Sequence, residues 1–382
     1  MSDLKQTIAR EYGTPAIVID LDVVTHNIAR LQAACEARGL RNRPHIKTHK
    51  SPLLAEMQRD AGASGITCQK LGEAEVMVEA GFDDILISYN LIGEEKIDRL
   101  ARLSQAARVI VAADNPVAVE GYARAGKKAG KPIEVVIECD TGRKRAGVET
   151  VADAVALAGQ IKQHAGLKFA GFLLYNPENA VERTQAFLDE ALTGVRAMGL
   201  DAEIISTGGT PNLANLGKIR GATEHRAGTY IFNDRMMLAC NAAQLEDCAL
   251  HVYATVVSRA GAERGILDSG SKTLTSDTGG LDGHGLIREY PKARIAQFSE
   301  EHGFLDLSAC PKKPQVGEVV RVIPNHVCVV VNMVDQLIAV RGDEIVGEIP
   351  VAARAGVSSH DLAARRGRAW LRPEQRAADG SV

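Results

Sequence analysis

Residues 84–113 read DILISYNLIGEEKIDRLARLSQAARVIVAA. A short apolar run, Asp84 to Ser88, gives way to a charged stretch of helix formers, Glu94 to Ala106, and then to a β-branched run, Arg108 to Ala113. This is one strand-helix-strand unit of a parallel sheet. Working outward, strand-like runs recur at Arg43 to Lys47, Gly65 to Gln69, Ile133 to Asp140, Phe169 to Tyr175, Glu203 to Gly208 and Thr223 to Tyr230. Helix-like stretches such as Gly72 to Ala80, Val151 to His164 and Asn179 to Met198 lie between them. Eight strands is the number that closes such a sheet, so the predicted fold is an α/β chain with a (β/α)8 TIM barrel; a doubly wound open sheet is the alternative.

Two segments fall outside that pattern. Pro15 to Asp20 is strand-like and precedes a stretch in which Ile28, Leu31, Ala34 and Cys35 recur at helical spacing, so this strand is expected outside the barrel. From Leu250 the texture changes to strands and turns: Leu250 to Val257, Glu318 to Pro324, Val327 to Val334, Gln336 to Val340 and Glu344 to Val351. They predict a smaller, mainly antiparallel β domain. The expected organisation is a barrel over 22–245, a β domain from 1–21 with 246–360, and a C-terminal tail, 361–382, too poor in apolar residues to pack.

With 382 residues, 45% of them hydrophobic, the chain can bury a full barrel and a second core. Its 45 basic and 48 acidic residues leave a formal charge of -3 without single-sign blocks, which argues against nucleic acid as a partner and for a small molecule. No apolar run approaches the roughly 20 residues of a membrane helix. Seven cysteines without CxxC spacing, in a chain with no secretory signal, lead us to expect reduced thiols and a cytoplasmic location.

In a barrel the strand ends converge on one mouth, so polar residues directly after apolar runs become candidates together. They include Lys47, Gln69, Asp140 with Arg145, Tyr175, the run Ser206-Thr207-Gly208-Gly209-Thr210, and Tyr230. Glycines after the seventh strand let backbone N–H groups approach an oxyanion, although such a pair is as often only a tight turn. Set across the mouth from a strand-one lysine, the glycine turn suggests pyridoxal phosphate, whose aldehyde forms a Schiff base with an amine and whose phosphate needs a cradle. Arg145 is a candidate to face the pyridine nitrogen, as a guanidinium donates and cannot accept; the bland reading is an ion pair. Tyr175 and Gln69 are candidates to stack on or hydrogen-bond the ring.

His326 and Cys328 stand two apart in a strand-like run, which would put both on one face. Imidazole and thiolate so presented suit a zinc-like ion with open positions for water or substrate, whereas a buried cysteine beside a hydrogen-bonded histidine is the commoner outcome.

Taken in order, Thr14-Pro15-Ala16 with Ile19 to Asp22, Pro44 to Lys50, Cys68-Gln69-Lys70, Gly142 to Val148, Ser206 to Thr210, Ala227 to Tyr230, Glu301-His302-Gly303 and Pro324 to Cys328 resemble the alanine-racemase-like pyridoxal phosphate enzymes. Within that class they resemble the group of D-threonine aldolases, D-serine dehydratases and 3-hydroxyaspartate enzymes. The resemblance implies that Lys47 is the Schiff-base lysine, that Arg145 faces the pyridine nitrogen, that Gly208, Gly209, Thr210 and Tyr230 hold the phosphate, and that His326 and Cys328 bind a divalent metal. It implies a lyase acting on a small D-3-hydroxy amino acid: an aldolase giving glycine and an aldehyde, or a dehydratase giving a 2-oxo acid and ammonia. Cys68-Gln69-Lys70 resembles the aldolases and the His-x-Cys pair the dehydratases. Thiolate favours zinc over manganese or magnesium. A racemase and a non-catalytic cofactor carrier are the other readings of this fold, and a homodimer is the alternative to a monomer.

Overall fold

The computed structural model describes residues 4–354; the expected tail at 361–382 lies outside them. Eight parallel strands form one sheet in the spatial order Arg41–Asn42, Glu224–Arg226, Ile204–Gly208, Leu167–Leu174, Ile133–Cys139, Arg108–Ala113, Asp84–Ile87 and Ile66–Cys68. A parallel bridge between His45 and Thr67 joins the two ends, so the barrel is the architecture and the open sheet is not.

Strand periodicity builds the interior. Leu86, Ile110, Ala112, Val136, Ala170, Leu173 and Ile204 form one buried cluster inside the ring, while their sequence neighbours, such as Ile85, Ile87, Val109, Val111 and Ile137, pack outward against the helices. Because side chains alternate, the next inward positions after Leu86, Val136 and Leu173 are Ser88, Glu138 and Tyr175, and all three line the cleft at the mouth.

Two barrel strands are shorter than their apolar runs. The first ends at Asn42, and Ile46–Thr48 is a one-turn 3-10 helix. Pro44 has no N–H to offer the ladder, but its carbonyl accepts from Thr67 N–H while His45 N–H reaches Ala227 O. The eighth spans only Glu224–Arg226, and Thr229–Ile231 forms another 3-10 turn after Gly228.

At the barrel's first strand Arg43 is fully buried. Its Nε donates to Glu224 at 2.9 Å and its Nη1 pairs with Asp84, while Ser206 Oγ donates to the other Glu224 oxygen at 2.6 Å. Removing one partner of a buried pair strands the other charge. Arg43→Met, which keeps the stem and deletes the guanidinium, is therefore expected to cost about 3–5 kcal/mol in urea unfolding; a loss within about 1 kcal/mol would show that Arg41, 3.6 Å from Glu224, suffices as its partner.

The strand Ala16–Asp20 lies outside the barrel, in a nine-stranded sheet between Leu250–Ser258, antiparallel, and Gln336–Arg341, parallel. That sheet also contains Arg264–Leu267, Leu286–Ile287, Arg294–Phe298 and Gly303–Asp306, short strands flanked by charge and glycine that carry no alternating signal. The expected strand Val327 to Val334 is a correction: Val327–Val331 is a helical turn with His326 at its N-cap. Valine content favours a strand, but Val327, Val330 and Val331 are all buried at helical spacing, and tertiary packing overrides propensity. All seven cysteines are free thiols. Among the described residues no helix is long and apolar enough to cross a membrane.

Candidate active site

A cleft with about 570 Å³ of space, part of it open to solvent, lies at the barrel mouth, and Lys47, Gln69, Arg145, Tyr175, Gly209 and Thr210 all line it. A larger groove of about 1220 Å³ on the β domain contains none of the predicted site residues.

Lys47 sits in the 3-10 turn after the first strand, capped by His45, whose Nδ1 accepts from Lys47 N–H at 3.4 Å. Burial lowers the pKa of the Lys47 amine, as do Arg145 and Arg226, against opposition from Cys328 and Glu73. His45 is held neutral, well below the usual imidazole range, by burial and then by the nearby Lys47, Arg226 and Arg145 charges. Since its Nδ1 accepts, its Nε2 is the protonated nitrogen, 3.1 Å from Gln69 Oε1 and 3.3 Å from Ser88 Oγ. Gln69 thus faces the cleft with its amide oriented, its Nε2 donating to Ser88 O.

Arg145 and Arg143 lie over the Tyr175 ring at 4.8 and 4.6 Å. Arg145 is more than half exposed and 3.4 Å from the buried Glu138. Arg226, which sequence reasoning passed over, is buried and rigid: it donates to Ser206 Oγ, Thr207 O and Leu174 O. Burial pushes its pKa down to about 10, opposed by Glu224 and Glu138, which still leaves it charged at neutral pH.

The phosphate-side residues divide. Gly209, at φ +107°, lies against Tyr175, and a Cβ there would stand 2.4 Å from Tyr175 Cε2. It opens the 3-10 helix Thr210–Asn215, and Gly228 opens Thr229–Ile231, neither with a side-chain cap. Helix starts leave backbone N–H groups without intrahelical partners; here Pro211 has none and those of Gly209, Asn212, Tyr230 and Ile231 are already donated, so the N–H groups of Thr210 and Thr229 are the ones turned to a ligand. Two such starts and a depressed-pKa amine in one cleft fit pyridoxal phosphate. Three predicted residues are placed differently. Thr207 and Gly208 line a separate recess with His225 and Asn212: the pleat turns Thr207 outward, while Gly208, on the inward parity of Ile204, lies against the Arg226 backbone, where a Cβ would stand 2.6 Å from its N and O. Tyr230 points its hydroxyl into the core, where Gln58 Nε2 donates to it at 2.9 Å; its N–H donates to Thr210 Oγ1 at 3.1 Å. Tyr230 holds Thr210 and does not itself face the cleft.

Cys328 Sγ lies 3.2 Å from Thr48 Oγ1, beside the Lys47 turn. His326 Nδ1 is 2.9 Å from Asp234 Oδ2. Burial opposes charge on His326, but hydrogen bonds to Asp234 and Cys328 outweigh it and raise its pKa to about 10. Burial likewise opposes the Cys328 thiolate, yet His326 and Lys47 bring its pKa down. Among the described residues no group of three or more His, Cys, Asp or Glu side chains stands in metal-holding geometry. The pair therefore offers one imidazole and one thiolate donor, a set that suits a zinc-like ion with open positions. Glu301-His302-Gly303 forms the turn before Gly303–Asp306, with Ser299 N–H donating to His302 O, and Asp282 pairs with Arg294; neither motif lines the cleft.

The model of the alanine racemase N-terminal domain matches residues 19–236, and that of a putative serine dehydratase domain matches 249–340. The chain belongs to the alanine-racemase-like family of pyridoxal phosphate enzymes. Among this family's members, D-threo-3-hydroxyaspartate dehydratase of Delftia sp. (strain HT23) is 34% identical over 345 residues, 82% of this chain and 90% of that protein. Its structure has a TM-score of 0.83, covering 92% of this chain and 99% of that one at 30% identity, and a cysteine-to-alanine variant of D-threo-3-hydroxyaspartate dehydratase was solved in a metal-free form. D-Threonine aldolase of Arthrobacter sp. is 33% identical over 359 residues, 90% of this chain and 93% of that protein. The structure of D-threonine aldolase from Filomicrobium marinum has a TM-score of 0.82 at 31% identity, covering 90% and 96%.

Proposed function

We propose that this alanine-racemase-like chain is a pyridoxal phosphate- and divalent-metal-dependent lyase that cleaves D-3-hydroxy-α-amino acids into glycine and an aldehyde. What carries the reading is the meeting of Lys47, the Gly209–Thr210 turn and Cys328 at one barrel mouth, although hundreds of residues separate them in sequence. Bound there, pyridoxal phosphate would draw electrons from the bond broken at the substrate Cα, and a divalent ion would acidify the 3-hydroxyl.

The chain's own groups suit those tasks. Burial shifts Lys47 Nζ toward its neutral form, the form that would hold the cofactor through its aldehyde, and the same amine could carry a proton at the substrate Cα. Gly209, Thr210, Gly228 and Thr229 would hold the phosphate. Arg145 and Arg226 can only donate, so either one beside the pyridine nitrogen keeps it unprotonated and weakens the electron sink. His326 Nε2 and Cys328 Sγ would hold the ion, and the thiolate makes zinc the favoured metal, with manganese or magnesium the alternatives.

The thiolate also supports a second reading, dehydration to a 2-oxo acid and ammonia. Incubation of purified protein with D-threonine and D-serine separates the two. Glycine with acetaldehyde is the expected outcome; pyruvate or 2-oxobutanoate with ammonia and no glycine moves the chain to the dehydratases, and the absence of all these products ends the lyase reading.

A further inference from the structure

We infer that Asp234 is a positioning residue for the metal ligand His326, fixing which ring nitrogen faces the site; the inference rests on the metal reading given above. Asp234 is fully buried, although it belongs to the chain leaving the barrel and His326 to the β domain. Its Oδ1 accepts from Met237 N–H at 3.0 Å, and its Oδ2 accepts from Val327 N–H at 3.1 Å and lies 2.9 Å from His326 Nδ1. A carboxylate can only accept, so His326 Nδ1 keeps a proton toward Asp234, and Nε2, on the side of Cys328, is the nitrogen that would give up its proton and present a lone pair to an ion shared with Sγ.

The segment around Asp234 is itself immobilised. Asn233, in the left-handed region at φ +50°, turns the chain and donates to Tyr230 O and Asp247 O. Arg235 N–H and Met236 N–H then donate to Pro324 O and Asn325 O. The carboxylate is thus rigid relative to the loop that carries His326, as ring orientation requires.

Asp234→Asn tests this because an amide has one accepting side. If its oxygen keeps the Val327 and His326 bonds, its NH2 confronts Met237 N–H. If the amide is reversed, its NH2 faces Nδ1 and the proton moves to Nε2, which can no longer bind a cation. On full-length, pyridoxal phosphate-loaded protein, the zinc dissociation constant read by competition with a chromophoric chelator is expected to rise about 10–100-fold, with cofactor absorbance unchanged. Asn325→Ala loosens the same loop through its bonds to Arg235 and Gly283 without touching His326, and its zinc affinity is expected to stay within about twofold of wild type. Equal zinc affinity in Asp234→Asn and wild type overturns the inference, as does equal weakening by Asn325→Ala. Should Asp234→Asn not fold, 15N-histidine NMR of the wild-type protein decides instead: a proton on His326 Nδ1 with and without zinc is expected, and a bare Nδ1 refutes it. A wild-type protein that binds no zinc ends the metal reading, while the Nδ1 proton still decides what Asp234 does.

Discussion

Lys47→Ala is expected to abolish the visible absorbance of the lysine-bound cofactor and to lower turnover by about 10³–10⁴-fold or more. Among the described residues Lys47 is the one lysine lining the cleft; Lys50, three residues on, is buried and committed to Asn332 Oδ1 at 2.7 Å and to Glu73 at 3.5 Å. The loss should not come from unfolding. Burial lowers the Lys47 pKa in the folded chain, so folding works against its charge at neutral pH, and deleting the amine removes a cost. In cofactor-free protein Lys47→Met, which keeps the buried stem and removes the charge, should melt at the wild-type temperature or above it at pH 7, and that difference should shrink as pH rises toward the ordinary lysine pKa. A variant that keeps both the visible band and turnover would remove Lys47 from the chemistry.

The parts of this molecule legible in its sequence are those that depend on neighbours along the chain. Short apolar, β-branched runs between stretches of helix formers mark the barrel strands, and the pleat within those runs, continued one step, selects Glu138 after Val136 as it does Tyr175 after Leu173. Arg226 carries no comparable signal, because its strand, Glu224–Arg226, is polar throughout and nothing local sets the arginine apart. Asp234 was not legible: its partner is 92 positions away, and nothing near it in sequence distinguishes its carboxylate from an ordinary helix cap. The Val327 to Val334 run failed for the opposite reason, since strong local β character yielded to a helical turn fixed by distant contacts. Thr207 and Tyr230 show how members of one motif part in the fold: Thr207 takes the outward parity of its strand, and Tyr230, in a 3-10 turn, sends its hydroxyl into the core to Gln58.

Cys328→Ala is expected to empty the metal site and lower turnover by more than about 100-fold while leaving cofactor absorbance intact. The two effects separate because Cys328 lies on the β-domain side of the cleft, touching Thr48 and Thr229, whereas the groups assigned to the cofactor lie on barrel turns. Wild-type protein treated with a chelator should reproduce the variant's activity, and added zinc should restore the former and not the latter. Protons compete with the ion for Sγ and Nε2, so metal is lost as pH falls. The pair shifts in opposite senses, Cys328 down and His326 up to about 10, so an ion entering the site must displace the His326 Nε2 proton and is held less well as pH falls. If Cys328→Ala keeps full turnover with no metal bound, the metal has no part in the chemistry, and activation of the substrate hydroxyl must come from a side chain that lines the cleft.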